Sequence, residues 1–388
     1  MPALRTKSNK KFMVLSAIGI LMVVDHHTFT ALNLFGSYLP YNSFFMPMFM
    51  MISGYFNKVD SSTNLGKYIL KKLRTLLFPY FLITLIVLGL QFLMNLFKTG
   101  ETVSYPVTYI LERVVTTGAP IMIATPMWFV ITLFATLLIY AILKKILGRI
   151  WNSYVFLGIF VALHILSVYL SKTLDPDTIY WFLLPLKVMF FLPFLELGII
   201  YRERLEKKHE SLPGGAKLGI LIGLLLINMA RTMYLPLPYD LAFDSIDDLS
   251  GFTSPYIVTP LISSIIGIVF WLTLVDIIGK PFYESRFVNY MSCNTFWIMG
   301  LHITFFNILN CLLMAISEHI IELSYFDVET FRETEWYYWE LSPNFKLAYV
   351  VIGILGPLGL KLIYDLICSF LSGLFTKKKQ AESSGQST

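Results

Sequence analysis

Residues 10–27 read KKFMVLSAIGILMVVDHH: two lysines, a long apolar run, then Asp25, His26 and His27 in succession. The basic residues ahead of the run suggest a secretory leader. The run is too long for a leader's apolar core, however, and no small-residue cleavage site follows it, so it reads as a retained helix within residues 12–34. An ionisable side chain at membrane depth is costly and usually faces a bundle interior or a water-filled cavity. Asp25, His26 and His27 therefore point to proton chemistry or polar-substrate binding inside a membrane protein. A neutral imidazole can take a proton from a hydroxyl near neutral pH. Helix neighbours i and i+1 do not face each other, so Asp25 is expected to serve a partner other than His26. The bland alternative is that the three residues only mark the outer mouth of the helix.

The rest of the chain has the same character. Of its 388 residues 56% are hydrophobic and 14% charged, with a mean hydropathy of +0.67. A soluble domain carries about 25% charged residues. At about 20 apolar residues per crossing, ten spans are predicted, near 12–34, 42–57, 75–97, 126–143, 152–171, 179–201, 217–236, 256–279, 288–316 and 346–374. The fold class is thus an all-α integral membrane protein. Most of the 30 Lys and Arg fall in alternate connections, among them Lys58 to Arg74, Lys144 to Arg149 and Arg202 to Lys217. The intervening connections are acidic, as at Asp240, Asp244, Asp247 and Asp248. The positive-inside rule then puts both termini in the cytoplasm. The net charge of +5 sits in those basic segments and suits anionic lipid headgroups. No nucleic-acid motif is present.

The three cysteines, Cys293, Cys311 and Cys368, have no metal-ligand spacing, and a disulfide framework is not expected. The organisation reads as a cytoplasmic tail over 1–11, a single transmembrane domain over 12–374 and a disordered cytoplasmic tail over 375–388. The long connections near 98–125, 237–255 and 317–345 fall on the outer face. Trp336, Tyr337, Tyr338 and Trp339 in the last of them read either as an interfacial aromatic belt or as a stacking platform for a sugar.

Further motifs follow along the chain. In Phe44 to Tyr55 (FFMPMFMMISGY), Pro47 is expected to kink a helix, and Ser53-Gly54 to allow close helix approach. Lys71, Lys72 and Arg74 read as a topology anchor or as phosphate ligands. Trp128-Phe129 opens a span. Lys187 and Glu196 share a span, but nine residues separate them, which places them about 13 Å apart and does not imply a pair. His302, in Tyr290 to His302 (YMSCNTFWIMGLH), is a second intramembrane histidine. His164 and His319 read as packing residues, and His209 as solvated among charges.

In this order, the MPMFMMISGY, KKLRTLLFPY, WFVITLF, PFLELG and MSCNTFWIMGLH stretches resemble the successive signatures of the acyltransferase type 3 family of bacterial integral-membrane acyltransferases. The resemblance covers nearly the whole chain. It implies a ten-helix core and transfer of an acyl group, usually acetyl from acetyl-CoA or another acyl-CoA, to a hydroxyl of a cell-surface or exported carbohydrate. It implies a multi-pass protein of the bacterial plasma membrane. The family's first-helix histidine maps onto His26, its late-helix histidine onto His302, and its basic stretch onto Lys71, Lys72 and Arg74. Two positions depart from the family: Leu15-Ser16 replaces a basic residue, and Phe45 stands where many relatives have histidine.

The resulting expectation is an O-acyltransferase. His26 would be general base or acyl carrier, tuned by Asp25 and His27 and completed by His302. Trp128, Ser53, Trp336 and Trp339 would contact the acceptor. No metal is required, and a homodimer is compatible. The rival class is a transporter that exports a glycan or acylated intermediate without chemistry. Against it stands the lack of two matching halves with paired discontinuous helices.

Overall fold

The computed structural model describes residues 9–28, 31–32, 35–234, 257–324, 326–334 and 343–384. Every regular element among them is helical. In chain order these are α1 (Lys10–His26), α2 (Phe45–Phe56), α3 (Leu65–Thr99), α4 (Val107–Thr116), α5 (Trp128–Leu147) and α6 (Ser153–Thr173). There follow α7 (Pro176–Ile200), α8 (Gly214–Tyr234), α9 (Thr259–Ile278) and α10 (Arg286–Cys293). The last three are α11 (Thr295–His319), α12 (Val328–Glu333) and α13 (Pro343–Ser384).

Eight of these helices are long and apolar enough to cross a membrane: α3, α5, α6, α7, α8, α9, α11 and α13. The other two expected spans are shorter, α1 with 17 residues and α2 with 12. At about 1.5 Å per residue α2 rises only about 18 Å, well short of the ~30 Å hydrocarbon core. Large apolar side chains face outward, Phe78, Leu85 and Phe92 among them. Apolar surface on that scale belongs against lipid and not against water.

Pro47 does not kink α2. The helix begins at Phe45, which puts Pro47 in the first turn, where its missing N–H is one that no intrahelical acceptor would have met. The apolar run hid this start, because the chain breaks into 3-10 turns at Gly36–Tyr38 and Tyr41–Ser43 just before it. Pro79 does have a helical consequence. Residues Leu73–Leu77, immediately before it, form a π turn inside α3, the widening that relieves a proline ring's clash with the preceding turn.

The close approach expected at Ser53-Gly54 is present. A Cβ on Gly54 would lie 2.0 Å from the Leu195 carbonyl oxygen, and one on Gly198 would lie 2.0 Å from that of Met51. The α2 and α7 backbones therefore touch at a two-glycine crossing, the packing that small residues permit where lipid gives helices no hydrophobic reason to associate. α1 lies inside the bundle, packed on α2, α9, α10, α11 and α13.

The segments expected on one side of the membrane do meet in space. Asn9 bonds Tyr55 and Glu206, Lys10 pairs with Glu284, Lys11 pairs with Glu210, and Lys145 bonds the Ser61 carbonyl. We call this the basic end. Glu284 belongs to the α9–α10 connection, and Glu206 and Glu210 to the extension of α7 through Tyr201–Leu205 and Glu206–Glu210. α13 runs on as helix to Ser384, past residue 374 where the sequence reading ends the membrane domain. The connection near 98–125 carries α4 and that near 317–345 carries α12, whereas residues 237–255 and 335–342 lie outside the described residues.

Candidate active site

α1 stops where its ionisable residues lie. His26 is its last residue and His27 its C-cap. Asp25 is fully buried. Its carboxylate accepts from the Leu32 backbone N–H at 2.9 and 3.1 Å and from the Thr28 hydroxyl at 3.3 Å. The same hydroxyl donates to the Asp25 carbonyl at 2.8 Å. Asp25 thus pins the chain as it leaves the helix, and so fixes where the two imidazoles stand. As the i, i+1 argument expected, its partners lie elsewhere than His26.

His302 is fully buried on α11. Its Nδ1 lies 2.9 Å from the Ile298 carbonyl oxygen, and its Nε2 lies 3.2 Å from His27 Nδ1. His27 Nδ1 also lies 2.7 Å from the Val23 carbonyl oxygen. Carbonyls only accept, so both Nδ1 atoms carry the proton. His27 Nδ1–H is then shared between Val23 and the lone pair of His302 Nε2, which leaves His27 Nε2 unprotonated. Residues 275 apart in sequence form a histidine pair of fixed tautomer. The second shared hydrogen bond is the feature that spacing alone had no means of showing.

His26 and His27 both face a small pocket of about 30 Å³, walled by Phe45, Thr125, Pro126, Trp128 and Met299. That volume holds roughly one or two water-sized groups, so it fits a reacting hydroxyl or the tip of an acyl group and not a whole sugar. The His26 ring stands 5.7 Å from Phe45 and 5.5 Å from His27, centre to centre. It makes no hydrogen bond to another described residue.

Trp128, at the start of α5, lines this pocket. Behind it stands Lys187, fully buried on α7, with its ammonium 4.3 Å from the Trp128 ring centre and donating to the Thr117 carbonyl at 2.7 Å. The sequence reading named Lys187 without a role. Glu196 lies apart from it and accepts from the Tyr140 hydroxyl at 2.6 Å. Ser53 is not at the pocket, since its hydroxyl is turned back onto the Phe49 carbonyl at 2.8 Å. Trp336 and Trp339 lie outside the described residues.

A second cavity, about 730 Å³, opens at the basic end. Lys58, Lys71, Lys72 and Arg202 line it, with Asn57 and Tyr68. Arg202 donates to the Tyr55 and Asn57 carbonyls, at 2.6 Å each, and so closes the end of α2. Asn57 is buried, and its side-chain nitrogen has no partner among the described residues. Arg74 is exposed and does not line the cavity, because the π turn carries it off the Lys71 face. Lys58, Asn57 and Arg202, which the sequence reading did not single out for this role, also line the cavity. The charge of Lys58 and Arg202 was a signal, but the topology reading had already used it; the neutral Asn57 offered none. α2 joins the two cavities, with Phe45 at one and Phe56 at the other, about 17 Å apart along its axis.

The other histidines are placed as follows. His164 is buried and bonds the Phe190 carbonyl at 2.8 Å, which is a packing role. His209 is not simply solvated. It is partly buried against the Tyr201 hydroxyl at 2.9 Å and that of Thr273 at 3.2 Å.

One membrane-spanning helix bundle thus holds an imidazole pair at a small pocket and, about 17 Å away along α2, a cavity lined by lysine and arginine. Residues 12–355, nearly the whole chain, match the acyltransferase domain of the acyltransferase type 3 family, and the chain belongs to that family. It is therefore a multi-pass membrane acyltransferase in general character. No curated protein and no solved structure matches the chain.

Proposed function

We propose that this protein transfers an acyl group, acetyl in the simplest case, from acyl-CoA to a hydroxyl of a cell-surface or exported carbohydrate, in a bacterial plasma membrane. The observation that carries the chemistry is the His27–His302 hydrogen bond at a pocket of acyl size. His27 Nε2 takes the proton of the acceptor hydroxyl. The oxygen attacks the thioester carbonyl, and the carbon–sulfur bond breaks. The thiolate leaves with the proton that His27 had taken, as free thiol. His302 holds His27 in the tautomer that makes this possible, in the manner of a base oriented by a third group. Trp128 and His26 line the pocket where the acyl carbon meets the hydroxyl. Lys71 and Lys72, with Lys58 and Arg202, would hold the phosphates of the donor at the basic end, and the pantetheine arm would bridge the distance along α2.

A second reading makes His26 the base. It faces the same pocket, and its ring is not committed to a hydrogen bond among the described residues. Purified protein in nanodiscs, given radiolabelled acetyl-CoA and candidate glycans, separates the two. Loss of transfer in His27→Ala with residual turnover in His26→Ala supports the pair as base, and the reverse pattern assigns the role to His26. Transfer that survives both substitutions sinks the acyltransfer site as drawn. We further propose ten crossings with both termini cytoplasmic, which a C-terminal reporter active only in the cytoplasm would test.

A further inference from the structure

Asn57 closes α2 as its C-cap and lines the basic cavity. It is only 4% exposed. Its side-chain oxygen accepts from the Tyr68 hydroxyl at 3.2 Å, while its side-chain nitrogen has no partner among the described residues. Buried polar groups in folded proteins are nearly always hydrogen-bonded, and a donor left without an acceptor is a net cost. This donor stands in a cavity wall, so the acceptor that meets it belongs to what fills the cavity.

The other walls say what that is. Lys58, Lys71 and Lys72 pair with no carboxylate among the described residues, and no acidic side chain is among those that line the cavity. Arg202 is already engaged. Its Nη1 donates to the Tyr55 and Asn57 carbonyls, and its Nη2 donates to Glu203 at 3.0 Å. By covering those carbonyls it offsets the negative end of α2, which would otherwise repel an anion from Asn57. Three unpaired lysines and one neutral donor around about 730 Å³ suit a small ligand that carries several phosphates. The single phosphodiester on the arm of an acyl carrier protein would leave most of that charge unmet.

Resting on the acyl-CoA reading above, we infer that Asn57 is a donor-specificity residue whose side-chain N–H donates to an oxygen of the CoA pyrophosphate. The pantetheine arm lies along α2 in that reading, so the pyrophosphate is the first phosphate group to emerge at the end of the helix, where Asn57 stands. Lys71 and Lys72, on α3, are left for the phosphate farther out on the ribose.

Isothermal titration of unacylated CoA into the full chain in nanodiscs measures this with no acyl transfer involved. Asn57→Asp keeps the size of the side chain and the acceptor for Tyr68, but puts a carboxylate where the free donor was. It should raise the Kd for CoA at least about tenfold, as expected for loss of a hydrogen bond to a charged group. 3′-Dephospho-CoA keeps the pyrophosphate and should be weakened by the same factor. An aspartate among three lysines should not lower the thermal midpoint, so lost binding is not lost fold. Tyr68→Phe removes the bond that steadies Asn57 and leaves the donor in place, and its Kd should stay within about threefold of wild type. CoA binding that Asn57→Asp leaves intact, or that Tyr68→Phe lowers as much, overturns the assignment and leaves the donor reading standing. An effect seen with CoA and absent with 3′-dephospho-CoA overturns it as well, since Asn57 would then meet the ribose phosphate. If the wild type binds no CoA, the donor reading fails and this assignment falls with it.

Discussion

A histidine works as a base only if its other ring nitrogen is held protonated, and here two carbonyls, those of Val23 and Ile298, do that for the His27–His302 pair. Removing His302 leaves His27 its Val23 contact but takes away the partner that sets the direction of its ring. Turnover in His302→Ala should fall by about 100-fold, within the range of general-base contributions, and in His27→Ala by at least as much. Single-turnover kinetics with acetyl-CoA would read both, and a His302→Ala enzyme of undiminished rate would remove the pair from the mechanism. Lys187 offers a second test at this scale. A buried cation contributes little to stability, yet this one holds the wall of the pocket through Trp128. Lys187→Met should leave the thermal midpoint unchanged or higher while lowering kcat about tenfold, in line with a desolvated cation–π contact. Lys187→Arg should restore part of the loss. A fall in stability that accounts for the whole loss of rate would make Lys187 structural only.

At the scale of elements, the α2–α7 crossing decides how the two cavities are spaced, because α2 has Phe45 at one and Phe56 at the other. Its geometry depends on Gly54 and Gly198, where an added Cβ meets backbone and not a movable side chain. Gly54→Ala should cost about 1–3 kcal/mol or more through overpacking. Gly223→Ala on α8, where a Cβ meets nothing within 4 Å, serves as the control, and thermal unfolding in detergent compares them. Helix identity was legible in the sequence wherever an apolar run was long and bounded by charge, as for α3, α5, α7 and α11. It was least legible at α2, where the expected span began at residue 42, ahead of the helix start at Phe45, and Pro47 looked like a kink instead of part of the first turn. The pairing of Gly54 with Gly198 was half visible. Both glycines stood in quoted motifs, but nothing in one sequence tells which small residue meets which.

Over the whole molecule, the sequence separated basic from acidic connections, and the structure gathers the basic segments at one end. Charge counts sum over a face, however, and do not say which cations converge on a cavity. That is why Arg202 and Lys58 were not singled out for donor binding and Arg74 was included. The distinction is open to experiment. Lys71 and Lys72 line the cavity with Arg202, whereas Arg74 is turned outward on the π turn. Cations that meet donor phosphates at contact distance act through charge-assisted bonds, while an exposed cation that does not line the cavity acts only through solvent-screened charge. The Lys71→Glu, Lys72→Glu double variant should therefore raise the KM for acetyl-CoA about tenfold or more at nearly constant kcat, with the effect shrinking as salt rises. Arg74→Glu should leave KM within about twofold, as expected of an exposed charge. Arg202 is the wrong residue to test first, because its bonds to the Tyr55 and Asn57 carbonyls also close the end of α2. If Arg74→Glu and the lysine pair raise KM alike, the donor is drawn by the face as a whole, and the cavity is not where its phosphates sit.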